Sequence, residues 1–307
     1  MKINIQLEGQ RGLNWERWTR LVPAVEELGF DGIFRSDHFY DAEPPEMDSL
    51  ELWTSLTWVA SNTKRIQFGP LVTPVSFHHP AHIARRAKDL DNLSGGRFVL
   101  GVGAGWGGGV REHEAFGFDL LDTKSRFRRW VEGLEIITQL LRSTEPISFD
   151  GEFFTLKDAI LLPHPERKGG PTILIGGNGP NKVMSIAAKY ADEWNGIYRS
   201  PAEFKELSDI LDQKLIENGR KPEDVGRSQM KGLMFGRDQA ELERNLAGQD
   251  PQALLDRGMI VGTPEEVVQQ LGEFSEIGMG QVMLQWFNYD DLDGLEAFAT
   301  TVLPQVQ

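Results

Sequence analysis

Eight short apolar strands alternate with amphipathic helices along this chain, and that order restricts the folds open to it. The strands read as Ile3–Leu7, Gly32–Ser36, Ile66–Val72, Arg97–Val102, Thr172–Ile175, Glu193–Tyr198, Gln229–Phe235 and Gln281–Trp286. Between them, apolar residues recur at helical spacing, as in Trp15, Trp18, Val22 and Val25, or Phe127, Val131, Leu134, Thr138 and Leu141. Two helices announce their starts: Ser200 and Thr263 each precede a proline and stand three residues before a glutamate, the pattern of a capping box. Eight βα units in 307 residues predict a (β/α)8 TIM barrel, with a doubly wound parallel sheet as the alternative. No linker-like stretch divides the chain, so a single domain over 1–307 is expected. The rhythm breaks at Pro146–Leu156, which reads as a β-hairpin turning at Asp150–Gly151, and at the irregular segment Leu161–Pro171. Together they form an insertion between the fourth and fifth strands, of the kind that serves as a lid or subunit contact.

Composition removes whole classes of function. There is no cysteine, which excludes disulfides, thiolate metal sites and cysteine nucleophiles. A net charge of −14 argues against general attraction to nucleic acid or an anionic membrane. The opening residues, MKINIQLEG, lack a signal-peptide core, and no run approaches the ~20 apolar residues of a membrane span. A cytoplasmic protein is expected.

The segment Thr172–Asn195 carries the strongest local pattern. An apolar strand runs into Gly176, Gly177, Asn178 and Gly179, and Pro180 then stands where a helix would open. Such a turn aims backbone N–H groups and a helix N-terminus at one point, which suits a phosphate-sized anion. It is neither a GxGxxG fingerprint nor a P-loop, and a tight βα turn that needs glycine only to reverse direction reads equally well.

Other strand ends hold unusual residues, and strand ends are where a barrel places its chemistry. The second ends in Asp37-His38, a pair able to move a proton or donate to a ligand ring, against a plain turn cap and exposed histidine. The third carries Pro70, Leu71, Thr73 and Pro74, where two prolines point to a bulge or a tight exit. The fourth runs into a glycine-rich stretch, Gly101 to Gly109, with Ala104, Gly105 and Trp106 at its centre. Those glycines read either as room for a flat ligand or as a flexible loop. His78, His79 and His82 stand around Pro80 without a carboxylate at ligand spacing, so no metal site is expected. Asp290, Asp291 and Asp293 read as acidic residues at a helix start.

Five stretches in order are similar to the luciferase-like monooxygenase superfamily: SDHF (36–39), LVTP (71–74), SGGRFVLGVGAGW (94–106), EHEAFG (112–117) and the glycine-turn segment. The C-terminal VMLQWFNYDDLDGLE resembles the branch that uses coenzyme F-420, an 8-hydroxy-5-deazaflavin. That resemblance implies a (β/α)8 barrel, commonly a homodimer, which passes a hydride between coenzyme F-420 and a small organic substrate. It implies the cofactor phosphate on Gly176, Gly177, Asn178 and Gly179, and the ring lined by Thr73 and by Ala104, Gly105 and Trp106. It also implies a non-prolyl cis peptide, placed by alignment at Pro70–Leu71, backing the ring. His38 is the candidate for proton handling, with Asp37 orienting it or touching the ring. Arg35, Arg111, Lys182 and Arg199 are candidates for the cofactor's poly-glutamate tail. Trp106 stands where the glucose 6-phosphate branch carries a glutamate proton donor, and no lysine/arginine set marks a sugar-phosphate site. With Phe39, Trp106 points to a more apolar pocket. Two alternatives stay open: an FMN-dependent monooxygenase of the same superfamily, and a barrel that binds a flavin or deazaflavin without turnover.

Overall fold

The computed structural model describes all 307 residues. In chain order the elements are β1 (Lys2–Leu7), α1 (Trp15–Glu27), β2 (Gly32–Arg35), α2 (Leu52–Asn62), β3 (Gln67–Pro70), β4 (Thr73–Pro74), α3 (Pro80–Ser94), β5 (Val99–Gly103), α4 (Val110–Phe116) and α5 (Thr123–Arg142). Next come β6 (Ile147–Asp150), β7 (Thr155–Ala159), β8 (Thr172–Gly176), α6 (Lys182–Tyr190), β9 (Glu193–Ile197), α7 (Pro201–Glu217) and β10 (Gly226–Phe235). The chain closes with α8 (Gln239–Leu246), α9 (Pro251–Asp256), β11 (Ile260–Gly262), α10 (Pro264–Glu276), β12 (Gln281–Gln285), α11 (Leu292–Thr301) and α12 (Leu303–Val306). All eight expected strands form, as β1, β2, β3, β5, β8, β9, β10 and β12.

By contact the chain divides into two compact units. One comprises residues 1–8, 15–34 and 176–307. In it β1 pairs with β12, β12 with β10, and β10 with β9, all parallel. The short β11 adds to β10, at Leu233–Ile260 through Phe235–Gly262. Ile3, Ile5, Val282, Met283 and Leu284 are fully buried, as expected of parallel strands covered on both faces. Trp18, Leu21, Val22 and Val25 form the buried face of α1, while Trp15, at its first turn, stays 43% exposed. Both capping boxes are present, at Ser200 ahead of α7 and Thr263 ahead of α10. Asp291 caps α11 by accepting the Gly294 N–H.

The other unit comprises residues 9–14 and 35–175. Here β4 pairs with β5, and β5 with β8, in parallel, and a bridge between Phe68 and Phe98 joins β3 to β5. The apolar face of α5 is centred on Trp130, Leu134, Ile137 and Leu141, one position round from the face that Phe127 and Val131 predict. The hairpin of the insertion forms, as antiparallel β6 and β7, with a different turn. The chain reverses over Gly151–Phe154 rather than at Asp150–Gly151, because the Glu132 carboxylate accepts the N–H groups of Glu152 and Phe153 and holds the wider loop open.

Candidate active site

The exit of β2 is built by side chains that tie the backbone down. Arg35 is 1% exposed and donates to Ser55 Oγ and the Leu50 carbonyl, so it braces the strand end and is not presented to an anionic tail. Of the other cations weighed for that role, Arg111 pairs with Glu46 and lies over the Tyr40 ring, and Arg199 pairs with Glu203. Ser36 Oγ accepts the Gly9 N–H and donates to Gln10.

Asp37 and His38 then part ways. The Asp37 carboxylate accepts the Thr73 hydroxyl at 2.7 Å and pairs with His78 Nε2 at 2.9 Å. Burial alone would raise its pKa. The bond and charge of His78, the Thr73 hydroxyl and the Arg35 charge outweigh it, and hold the carboxyl below its ordinary value. His38 Nδ1 lies 2.9 Å from Glu112 Oε1, and Glu112 Oε2 accepts the Phe39 N–H at 3.1 Å. So Asp37 pairs with His78, and the carboxylate that pairs with His38 is Glu112. His38 also meets the Trp106 indole edge-on, ring centroids 6.3 Å apart.

Beside this pair lies a cavity of about 330 Å³, lined by the polar residues Asp37, His38, Ser49, Glu51 and His78 and by apolar ones that include Phe39. No lysine or arginine lines it. Phe39 stacks on Phe116 at 4.3 Å and meets Phe77 edge-on at 5.0 Å, which makes that wall an aromatic one.

The β3–β4 passage and the glycine stretch of β5 pack on each other. The cis peptide falls at Leu71–Val72, one residue beyond the Pro70–Leu71 position expected. The Leu71 N–H still bonds to the Arg35 carbonyl at 2.8 Å, so strand pairing runs through Leu71 and the departure comes after it. A Cβ on Gly101 would run into the Pro70 carbonyl oxygen and meet Val72 Cγ1 at 2.9 Å, and one on Gly103 would meet Val72 Cγ2 at 2.6 Å. Gly105, at φ +87°, would meet Ser76 Oγ at 2.7 Å. These glycines therefore make room for the neighbouring strand's bulge, not directly for a flat ligand. Thr73 is fully buried, Leu71 is 8% exposed, and Trp106 is 57% exposed against Gly108.

In the other unit, the turn after β8 is set by its own bonds. Asn178 folds back on the next strand: its side chain donates to the Ile197 carbonyl and accepts the Ile197 N–H. Trp194 Nε1 donates to the Gly177 carbonyl, and the Gly177 N–H bonds to Asn195. Gly177 sits at φ +126°, where a side chain is strained. Helix α6 starts at Lys182, two residues beyond Pro180, because Pro180 and Asn181 complete the turn. Asn181 supplies no side-chain cap, whereas Ser200, Asp238, Asp250 and Asp291 all cap the helices they precede. An uncapped first turn behind three glycines fits an anion held by backbone N–H groups.

Glu112 and His78 escaped the sequence reading as site residues. Glu112 lies in the EHEAFG stretch, and Gly109 makes room for it: a Cβ there would stand 2.7 Å from Glu112 Oε1. Of the histidines weighed for a metal, His78 serves Asp37 and His79 caps α3. No group of three or more metal-ligating side chains is assembled.

The sequence profile of a family described as luciferase-like monooxygenase matches residues 2–250. A glucose-6-phosphate dehydrogenase from Amycolatopsis mediterranei (strain U-32), described as F420-dependent, is 27% identical over 92% of this chain and 92% of its own length. A 4-hydroxyprotoasukamycin monooxygenase from Streptomyces nodosus subsp. asukaensis is 33% identical over 58% of this chain, and the match spans 46% of that relative, under half its length. Among solved structures, an F420-dependent secondary alcohol dehydrogenase, in complex with an F420–acetone adduct, superimposes with a TM-score of 0.85 at 20% identity, covering 100% of this chain and 99% of its own. That likeness establishes the α/β barrel fold expected from the strand order.

Proposed function

This chain belongs to the luciferase-like monooxygenase family, and on that premise we propose that it is a coenzyme F-420-dependent oxidoreductase acting on an uncharged alcohol or carbonyl compound of apolar character. When bound, the deazaflavin supplies a hydride acceptor or donor. The backbone of Gly176, Gly177, Asn178 and Gly179, with the uncapped start of α6, holds the phosphate. Pro70, Leu71 and Thr73, with Ala104, Gly105 and Trp106, wall the ring. The Thr73 hydroxyl commits its proton to Asp37. His38 takes or returns the proton on the substrate oxygen.

The observation that carries the reading is the cavity beside His38. Its aromatic wall and lack of lysine or arginine suit a neutral, apolar substrate and disfavour a sugar phosphate, although relatives are named for that substrate. The reading includes one luciferase-like domain over 1–307, working in the cytoplasm as a homodimer. No helix is long and apolar enough to cross a membrane. Light scattering on the purified protein should give twice the chain's 34.5 kDa.

Substitution of Gly179 by aspartate tests the phosphate assignment, because Gly179 is not at the strained φ of Gly177. A carboxylate there should abolish binding of coenzyme F-420 with melting little changed. Binding at the wild-type affinity would place the phosphate elsewhere.

A further inference from the structure

We propose that Glu112 is the positioning residue for His38: it fixes the imidazole with its proton on Nδ1, so that Nε2 is the nitrogen that exchanges a proton with substrate. The inference rests on the hydride-transfer reading for its activity arm and on geometry alone for the rest.

Four observations converge. Glu112 is 3% exposed, and both of its oxygens are engaged, one with His38 Nδ1 at 2.9 Å and one with the Phe39 N–H at 3.1 Å. A carboxylate only accepts, so the nitrogen facing it must donate, and the neutral ring then carries its lone pair on Nε2. The Phe39 amide anchors Glu112 independently of the ring it serves, so the carboxylate is set before His38 is. Gly109 leaves the space: a Cβ there would stand 2.7 Å from Glu112 Oε1. Finally, the nearer candidate in sequence, Asp37, is committed to Thr73 and His78. A carboxylate reached from α4 thus does what the adjacent residue in the chain does not. The logic is that of any carboxylate–histidine pair in which the acid holds the base in one tautomer and one orientation.

In the oxidative direction, the substrate O–H bond would break as the Nε2–H bond forms, and bound oxidised coenzyme would supply the acceptor for the hydride that leaves the carbinol carbon as it becomes a carbonyl. His38 then returns its proton to solvent.

The test uses the full chain in two arms. In the first, ¹⁵N NMR of the cofactor-free protein, labelled at histidine, reads the His38 tautomer. The expected result is a protonated Nδ1 and a bare Nε2 in the wild type, lost in Glu112→Gln, whose amide donates toward Nδ1. An unchanged tautomer in Glu112→Gln overturns the proposal. The second arm follows reduction of coenzyme F-420 by α-methylbenzyl alcohol. Glu112→Gln should lower kcat by about 10²–10⁴ with KM and cofactor affinity little changed. The same substitution in a His38→Ala background should cost nothing further, because its effect runs through His38. An equal loss in both backgrounds would mean a structural role and overturn the proposal. Gly109→Ala, which leaves Glu112 itself intact, should shift the tautomer in the same direction. If the wild type does not use coenzyme F-420, the functional reading falls, and the NMR arm still decides the role of Glu112.

Discussion

Asp37 and His38 are neighbours in the chain and bond to different partners, and that separation shapes what each can do. Asp37 is held ionised by His78 and Thr73 in a buried site, so its effect is on stability as much as on chemistry. Its folded pKa lies below the unfolded value of 3.8, so its stabilisation is present above that value and is lost on acidification. Asp37→Asn should therefore flatten the acid limb of a melting-temperature profile. Replacing Thr73 by valine removes one donor from a buried carboxylate and should cost about 1–3 kcal/mol, readable by denaturant unfolding. His38→Ala leaves those bonds alone. It should lower kcat by about 10²–10⁴ while melting barely moves, and steady-state kinetics beside a thermal scan will separate the two effects.

The elements that carry the site are shaped by close packing between β3, β4 and β5. Gly101 is glycine because the Pro70 carbonyl oxygen lies over it, with Val72 beside it, and Gly103 because Val72 does. Gly103→Ala should overpack that contact and destabilise by about 1–3 kcal/mol, and Gly103→Ala with Val72→Ala should recover part of the loss in a thermal scan. The sequence showed the glycines without their neighbour. Local spacing cannot tell room for a ligand from room for an adjacent strand, since the strand that needs it lies about thirty residues away in the chain. The same limit hid Glu112, whose partner His38 comes from a different element. What periodicity does read is burial: every strand whose run was continuously apolar was found. The two-residue β4 and three-residue β11 were not, because so short a run has no period. Nor were α8 and α9, which fold over a small core of their own, built on Leu242, Leu246, Leu254 and Val261.

At the scale of the molecule, order along the chain proved more informative than any single motif. The glycine turn alone reads as an anion site or a plain reversal; its place fifth among eight strands, in a chain with the family's other stretches in sequence, is what supports proposing it as the cofactor anchor. Among the acids the molecule buries outside the site is Glu193. Glu193 accepts from Ser228 and Gln281, and burial pushes its carboxyl up to about 7 against those bonds. A folded pKa above the unfolded one makes the fold bind the proton more tightly. Stability from this group is fully present below pH 4.5 and is lost as pH rises toward 7, by up to roughly 3 kcal/mol. Glu193→Gln should remove that slope, and melting temperatures taken across the window will show whether it does. The proposed function stands on the identity of the ring that hangs from the phosphate. An equilibrium titration of the purified protein with coenzyme F-420 and, separately, with FMN, followed by ligand fluorescence, tests it most directly. The account predicts binding of coenzyme F-420 at micromolar concentration or below, abolished by Gly179→Asp. Micromolar binding of FMN with none of coenzyme F-420 would contradict it.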